Sequence, residues 1–357
     1  MLPFVVLLFV PIMLQHLVAD KNNVDFEKKN KNALLFFFAF LTLLIMLRHE
    51  SVGTDTKTYG YLFHKFSLMN WDAVRKDSIE VGFSYFNKLI SLFTSDIQIY
   101  FAVVAIALIA LIYPTYKRLC VDASLTVVLF CTMSTFVMLF SGIRQMLAVG
   151  IGFLAYECTR QKKLVPFILC VTLAVLFHTS AFMLVLMYPL YHAKITKKWL
   201  IVVVPVILLT FVFNRQIFSV LALFLERYTD YDASMVQTGA YAMLILFALF
   251  AAFCFVVPLD NELDDEVIGL RNFLLLALVI QMFAPLHTIA MRMNYYYIIF
   301  IPLLLPKIIE NKSERWGDVV VWSRRVMVWF FLVYFFWNAA GGGNLKVFPY
   351  HFFWEQI

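Results

Sequence analysis

Apolar residues fall into about a dozen runs of helical length, and charged residues gather in the gaps between them. Membrane spans are predicted near 2–19, 33–47, 97–113, 123–140, 143–158, 164–177, 180–192, 199–213, 239–257, 272–290, 293–309 and 326–340. By hydropathy alone, 164–193 fits one long tilted helix or two short ones equally well. The basic residues separate the two. With two short helices, the gaps on one side (20–32, 114–122, 159–163, 193–198, 258–271, 307–325) hold 18 of the 29 Lys and Arg; with one long helix the division becomes 13 against 16. Short cytoplasmic loops are the basic ones, so the first reading is preferred: an all-α polytopic membrane protein of twelve spans, both termini outside the cytoplasm, with 1–357 as a single integral membrane domain.

That topology puts Arg48, Arg144, His178, Arg215, Arg227 and Arg292 on the outer face. Helix 164–177 is short, reaching about 21 Å of a roughly 30 Å apolar layer, so His178 is expected below the outer surface, at the floor of a cavity. The longest gap, 48–96, mixes aromatics with charges and lacks a linker's Gly, Ser and Pro; short amphipathic helices on the outer membrane surface are predicted there. A second outer segment, 214–238, holds NRQ, then IFSVLALFLER as an interfacial helix, then YTDYDAS. The acidic run at 260–266 reads as a solvated cytoplasmic loop, and the aromatic C-terminal tail is expected to fold back at the outer interface. No inverted repeat relates the halves.

Composition excludes a soluble globular protein: 62% of residues are hydrophobic, 38 are Phe and only 15% are charged. The net charge of +6 lies in the loops and gives no support for nucleic-acid binding. Five scattered cysteines, with no CxxC pair, read as packing residues. The first 19 residues lack a basic n-region and a small-x-small cleavage site, and read as a retained span.

An ionisable side chain at membrane depth costs roughly 2.5 kcal/mol or more, which makes Arg144, His178 and Arg292 candidate functional residues. Arg144 and Gln145 open a span after Ser141 and Gly142, a placement suited to holding a phosphate oxygen; the alternative is an arginine snorkelling to headgroups. Arg292, followed by Tyr295, Tyr296 and Tyr297, is either an anion-binding residue or an interfacial anchor with its aromatic belt. His178, followed by Thr179 and Ser180, could take a proton from a hydroxyl or cap a helix. GTDTKTY at 53–59 offers Gly53, hydroxyls from Thr54, Thr56 and Thr58, the Asp55 carboxylate and the Tyr59 ring; this suits sugar recognition and also describes an ordinary capped turn. Glu80 is a second carboxylate or a surface charge. No metal-ligand spacing, Walker loop, GxGxxG or GxSxG is present.

The order SVGTDTKTY, EVGF, FSGIRQMLA, FHTSA, RMNYYY and a terminal NxxxFPY resembles the EpsG-like group of Wzy-type O-antigen and exopolysaccharide polymerases, from about Arg48 to Tyr350. Matched position by position, the resemblance points to Gly53, Asp55, Tyr59, Glu80, Gly82, Arg144, Gln145, His178, Ser180 and Arg292; Val81 stands where many relatives have Pro. It implies a bacterial inner-membrane glycosyltransferase that moves a growing glycan from undecaprenyl diphosphate onto the non-reducing end of a lipid-linked repeat at the periplasmic face. On that basis Arg144 and Arg292 neutralise the diphosphate, and His178 or Asp55 is the base. Arg48, Gly53, Thr54, Tyr59, Glu80, Gln145, Ser180, Tyr295 and Tyr296 bind substrate. No metal or cofactor is implied. The implied partners are an undecaprenyl-diphosphate-linked oligosaccharide, membrane lipid and a chain-length regulator protein. A lipid-linked oligosaccharide flippase is the alternative, and it should carry its charges near the bilayer midplane. A sugar acyltransferase is a third reading, which wants its histidine near the cytoplasmic side.

Overall fold

The computed structural model describes residues 1–16, 23–223, 239–310, 316–341 and 345–356. Arg227, the later part of the 214–238 segment and Asn344 of the terminal motif lie outside the described residues. The described chain is helical, with one isolated antiparallel bridge between Arg48 and Phe352. Each of the twelve predicted apolar runs has a helical counterpart. By length and composition, Phe26–Met46, Ile97–Leu119 and Gly317–Ala340 are able to cross a membrane, or six spans if each sharply bent pair counts as one. Three shorter apolar helices, Leu2–His16, Leu164–Phe177 and Ala240–Val256, accompany them. The protein is a helical membrane protein.

Two compact units divide the chain: Met1–Val185 with Trp322–Ile357, and Leu186–Val321. The first contains α1 (Leu2–His16), α2 (Asn23–Met46), three short helices α3 (Thr56–Leu68), α4 (Trp71–Arg75) and α5 (Val81–Ser91), and then α6 (Ile97–Leu119), α7 (Ala123–Thr132), α8 (Ser134–Ser141), α9 (Ile143–Arg160) and α10 (Leu164–Phe177). The gap 48–96 is thus a run of short helices. In α3, Thr56, Tyr59, Leu62, Phe63 and Phe66 are buried along one face while Tyr61 is exposed, the spacing expected of a two-faced helix.

α2 and α6 run antiparallel, and both of their ends are tied. At one end the Gln98 side chain donates to the Met46 carbonyl; at the other, Asn30 donates to the Cys120 carbonyl at 2.9 Å. Around that second end Asp122 caps α7 through Leu125 N–H at 3.2 Å, accepts from Gln15 at 3.2 Å and pairs with Arg324. Arg118 reaches Glu157, near the end of α9, at 3.4 Å. The described part of the gap 20–32, the gap 114–122 and the end of α9 that leads into 159–163 therefore meet at one end of this unit, together with Arg324. α9 starts at the opposite end and runs toward them, and α10 returns.

At His178 the helix stops, and the chain continues as a 3-10 segment, Thr179–Leu186. Leu184 packs against Gly152, two turns down α9 from Arg144. The chain thus reverses at His178, and 164–193 is two segments. Elsewhere in the first unit, aromatic rings pack α1 and α8 against the C-terminal helix and tail. Phe4 meets Phe136, Phe140, Phe335, Phe348 and Tyr350 edge-on at 4.7–6.4 Å. Such pairs add about 0.5–1.5 kcal/mol each beyond area burial.

In the second unit Asp260 accepts from the Lys197 N–H at 2.7 Å and from Arg271 at 3.2 Å, so the gaps 193–198 and 258–271 share an end. Arg271 is fully buried, stacked over Phe255 at 4.0 Å. Two expectations are corrected. The run 123–140 is bent by 65° at Met133, between α7 and α8. The spans 272–290 and 293–309 are instead Asp265–Gln281, Thr288–Ile298 and Ile301–Glu310. Pro285 lacks an N–H and disfavours helix before it, and His287 restarts the helix by accepting from Ile289 N–H at 3.1 Å. Arg292 therefore lies within a helix, one turn past its start.

Loss of the shared carboxylate should cost more than loss of a simple cap. Asp96→Ala removes only the exposed cap of α6, worth about 1 kcal/mol. Asp122→Ala also strands the Arg324 guanidinium and should lower the thermal midpoint in detergent by clearly more; equal midpoints would make the Arg324 pair energetically neutral.

Candidate functional site

α8 and α9 are separated by a single residue, Gly142, so the Phe140 carbonyl and the Ser141 hydroxyl sit beside the first turn of α9 that carries Arg144. Against this junction packs the GTDT turn. Gly53 has φ +90°, and a Cβ there would fall 2.3 Å from the Phe140 oxygen, so only glycine fits. Thr56 donates to the Val52 carbonyl at 2.6 Å and to the Phe140 carbonyl at 3.3 Å, and the Thr54 hydroxyl bonds that of Ser141. One turn into α3, the buried Tyr59 ring packs edge-on against Phe83 at 5.8 Å, with the Arg144 charge nearby. Burial pushes the Tyr59 phenol up, which keeps it neutral.

Glu80 stands at the N-cap position of α5 but does not cap it. Its carboxylate reaches across to two other helices. Oε2 accepts from Arg144 Nη1 at 2.6 Å. Oε1 accepts from His178 Nδ1 at 3.2 Å and from the backbone N–H and hydroxyl of Thr179, each at 3.3 Å. The three side chains are 17% (Glu80), 28% (Arg144) and 12% (His178) exposed, so the cluster is shielded while retaining an opening. Burial alone would raise the Glu80 pKa; the His178 hydrogen bond and the Arg144 charge outweigh it and hold it at about 2. The stabilisation from this depressed value is complete above the ordinary 4.5 and is lost as pH falls toward 2.

Local backbone brings these groups together. α10 ends because His178 is extended (φ −158°, ψ 123°), which turns its ring away from the helical track and starts the 3-10 segment. Gly82 lets α5 pass under that end: a Cβ there would lie 2.8 Å from the Leu176 oxygen. Before α5, Asp77 is held by Lys65 and accepts from the Ile79 N–H at 3.0 Å, which fixes the approach to Glu80.

Of the sequence-derived residues, Gly53, Thr54, Tyr59, Glu80, Arg144 and His178 are brought together at one end of the first unit. Asp55 lies exposed at the head of α3, and Gln145 and Ser180 are buried beside their neighbours in α9 and the 3-10 segment. Two expectations change, for Arg48 and for Tyr295 with Tyr296. Arg48 is fully buried: it donates to the Ile45 carbonyl at 2.7 Å, stacks on Phe101 at 4.6 Å, and burial lowers its pKa to about 10. The C-terminal tail covers it, through Phe353 N–H to the Leu47 carbonyl at 2.9 Å and His49 N–H to the His351 carbonyl at 2.8 Å. Arg292 belongs to the second unit, on the helix that His287 caps. Tyr295 and Tyr296 are 6% and 1% exposed, so their rings are core and not a surface for stacking sugars. Thr179 and Ser141 were missed as site residues; the only signal was a hydroxyl next to a charged or junction position.

Among the described residues no three His, Cys, Asp or Glu side chains gather as a metal site. The model of the EpsG family matches residues 31–352, a span that includes every motif above. No curated protein and no solved structure matches the chain.

The tight passage of α5 is testable. Gly82→Ala should cost about 1–3 kcal/mol as overpacking and loosen Glu80 from α10. Gly60→Ala, whose Cβ meets Ile97 at an ordinary 3.6 Å, should be tolerated. Thermal midpoints in detergent compare them, and equal values would mean that the Leu176 backbone yields freely.

Proposed function

The chain belongs to the EpsG family, and on that premise we propose that it is a polysaccharide repeat-unit polymerase. It transfers a growing glycan from undecaprenyl diphosphate onto the non-reducing end of a lipid-linked repeat unit. The observation that carries this reading is the juxtaposition, on one carboxylate, of an arginine suited to an anionic leaving group and a histidine suited to a hydroxyl nucleophile.

In the reaction the acceptor hydroxyl oxygen forms a bond to the donor's anomeric carbon, and the bond from that carbon to the diphosphate breaks. The hydroxyl proton passes to His178. The electron pair of the broken bond leaves on the diphosphate, whose charge the Arg144 guanidinium neutralises. The GTDT turn and the short helices α3 to α5 flank this centre and hold the glycan. A diphosphate is a good leaving group, so electrostatic stabilisation carries more of the rate than proton removal does.

We place the site on the periplasmic face of the bacterial inner membrane, in a twelve-span topology with both termini outside the cytoplasm. Support comes from the two ends of the first unit: basic gaps gather around Asp122, and Glu80, Arg144 and His178 lie at the other end. A flippase would want its charges near mid-span. Here Arg144 is in the first turn of α9 and His178 follows the last turn of α10.

The direct test incubates the purified protein with a defined undecaprenyl-diphosphate oligosaccharide. A ladder of longer glycans is expected, and its absence from folded protein given a matching repeat unit would reject the reading. In the same assay Arg144→Ala should lower the rate by about a hundredfold to a thousandfold, the loss typical of one charge-stabilising donor. Arg144→Lys should recover little, because a point charge replaces a planar fork already engaged by Glu80. A folded Arg144→Ala protein near full activity would remove this residue from the mechanism. For topology, a cysteine at Asp55 should react with an impermeant thiol reagent added to the periplasm, above the wild-type background, and one at Lys197 should not. The reverse pattern would invert the assignment.

A further inference from the structure

The four donors around Glu80 leave its carboxylate little capacity for a substrate. An ionised carboxylate has about four lone-pair sites, two on each oxygen; His178 and the two Thr179 donors crowd Oε1, and Arg144 takes one of the two on Oε2. The side chain also forgoes capping its own helix, where its position would allow a bond to a free N–H. Gly82, two residues on, is what lets this backbone come within reach of α10.

We propose, resting on the polymerase reading above, that Glu80 is the positioning residue of the reaction: its carboxylate fixes the His178 ring in one tautomer and holds Arg144 beside it. A carboxylate acceptor requires the hydrogen on Nδ1, so the lone pair of the neutral imidazole lies on Nε2. Nε2 is then the atom that takes the proton as the acceptor oxygen bonds to the anomeric carbon and the diphosphate departs. The ring becomes an imidazolium, which the Glu80 charge stabilises, and it later releases the proton to solvent. Glu80 touches none of the reacting atoms. The titratable groups around His178 are Glu80 from the α5 side and, through it, Arg144 from α9. Tyr59 on α3 lies near Arg144, and Asp55 heads that helix in solvent.

The test is Glu80→Gln, which keeps shape and loses charge. Turnover should fall by about a hundredfold or more, as when a general base loses its orienting partner. KM for the lipid-linked repeat should change by less than about threefold. Glu80→Asp, too short to reach both partners, should also be slow while keeping its charge. A folded Glu80→Gln protein with unchanged turnover would overturn the proposal. So would a rise in KM alone, which would make Glu80 a substrate ligand, or a loss of thermal stability with the turnover of the folded protein unchanged, which would make it structural. A second measurement needs no substrate and stands whether or not the ladder assay succeeds. Nitrogen NMR of 15N-histidine protein, with His178→Gln subtracted to assign the signal, should show His178 with hydrogen on Nδ1. Hydrogen on Nε2 in the wild type would sink the assignment even in an active polymerase.

Discussion

An arginine and a histidine at the ends of apolar helices must be paired or solvated, and in this chain one carboxylate meets both needs. Glu80 sits between α9 and α10 and holds Arg144 and His178 within hydrogen-bonding distance of a single group. Other local features follow from that constraint. α10 must be short enough to present His178 at the level of Arg144, α5 must pass close enough for Glu80 to reach, and the α8–α9 junction must be open enough to seat the GTDT turn. Glycine makes the last two possible, at Gly82 and Gly53, where a Cβ would collide with backbone. Removing one partner from such a cluster leaves a charge in a low-dielectric setting, which is why its members are best regarded as a unit.

The same physics recurs elsewhere with a different outcome. Asp122 gathers Arg324, Gln15 and a helix N-terminus, and Asp260 gathers Arg271 and the Lys197 backbone. Both tie chain segments together at a helix end. Arg48 is the contrasting case: fully buried, it donates from Nη1 to a carbonyl and lies over the face of Phe101, while Nε and Nη2 have no hydrogen-bond partner among the described residues.

Between these polar ends the helices are held by fit. Lipid is as apolar as the side chains it replaces, so association inside a bilayer depends on packing more than on the hydrophobic effect. The Phe4 cluster supplies this in the first unit, joining α1 and α8 to the C-terminal helix and tail. It thereby anchors the tail that closes over Arg48.

Sequence alone determined the membrane class, because runs of apolar residues have no other stable home. It also placed α10, whose observed ends, Leu164 and Phe177, coincide with the predicted ones. Gly53, Tyr59, Glu80, Arg144 and His178 were legible as candidates, since each is a polar or special residue in an apolar or turn setting. Only tertiary structure decided their roles. Glu80 was indistinguishable from a surface charge, because its partners lie 64 and 98 residues away and no local pattern encodes such pairing. Arg48 passed for a surface residue because a tail some 300 positions later covers it, as the 306-residue separation of the Tyr350 to Leu44 hydrogen bond shows. Arg292 was misplaced by one turn of chain: hydropathy ran on through Pro285, while the backbone broke there for want of an N–H. Tyr295 and Tyr296 had the chemistry of sugar-stacking rings, and packing buried them. Composition and periodicity report what each residue prefers locally; which preference prevails depends on neighbours that only the fold brings near.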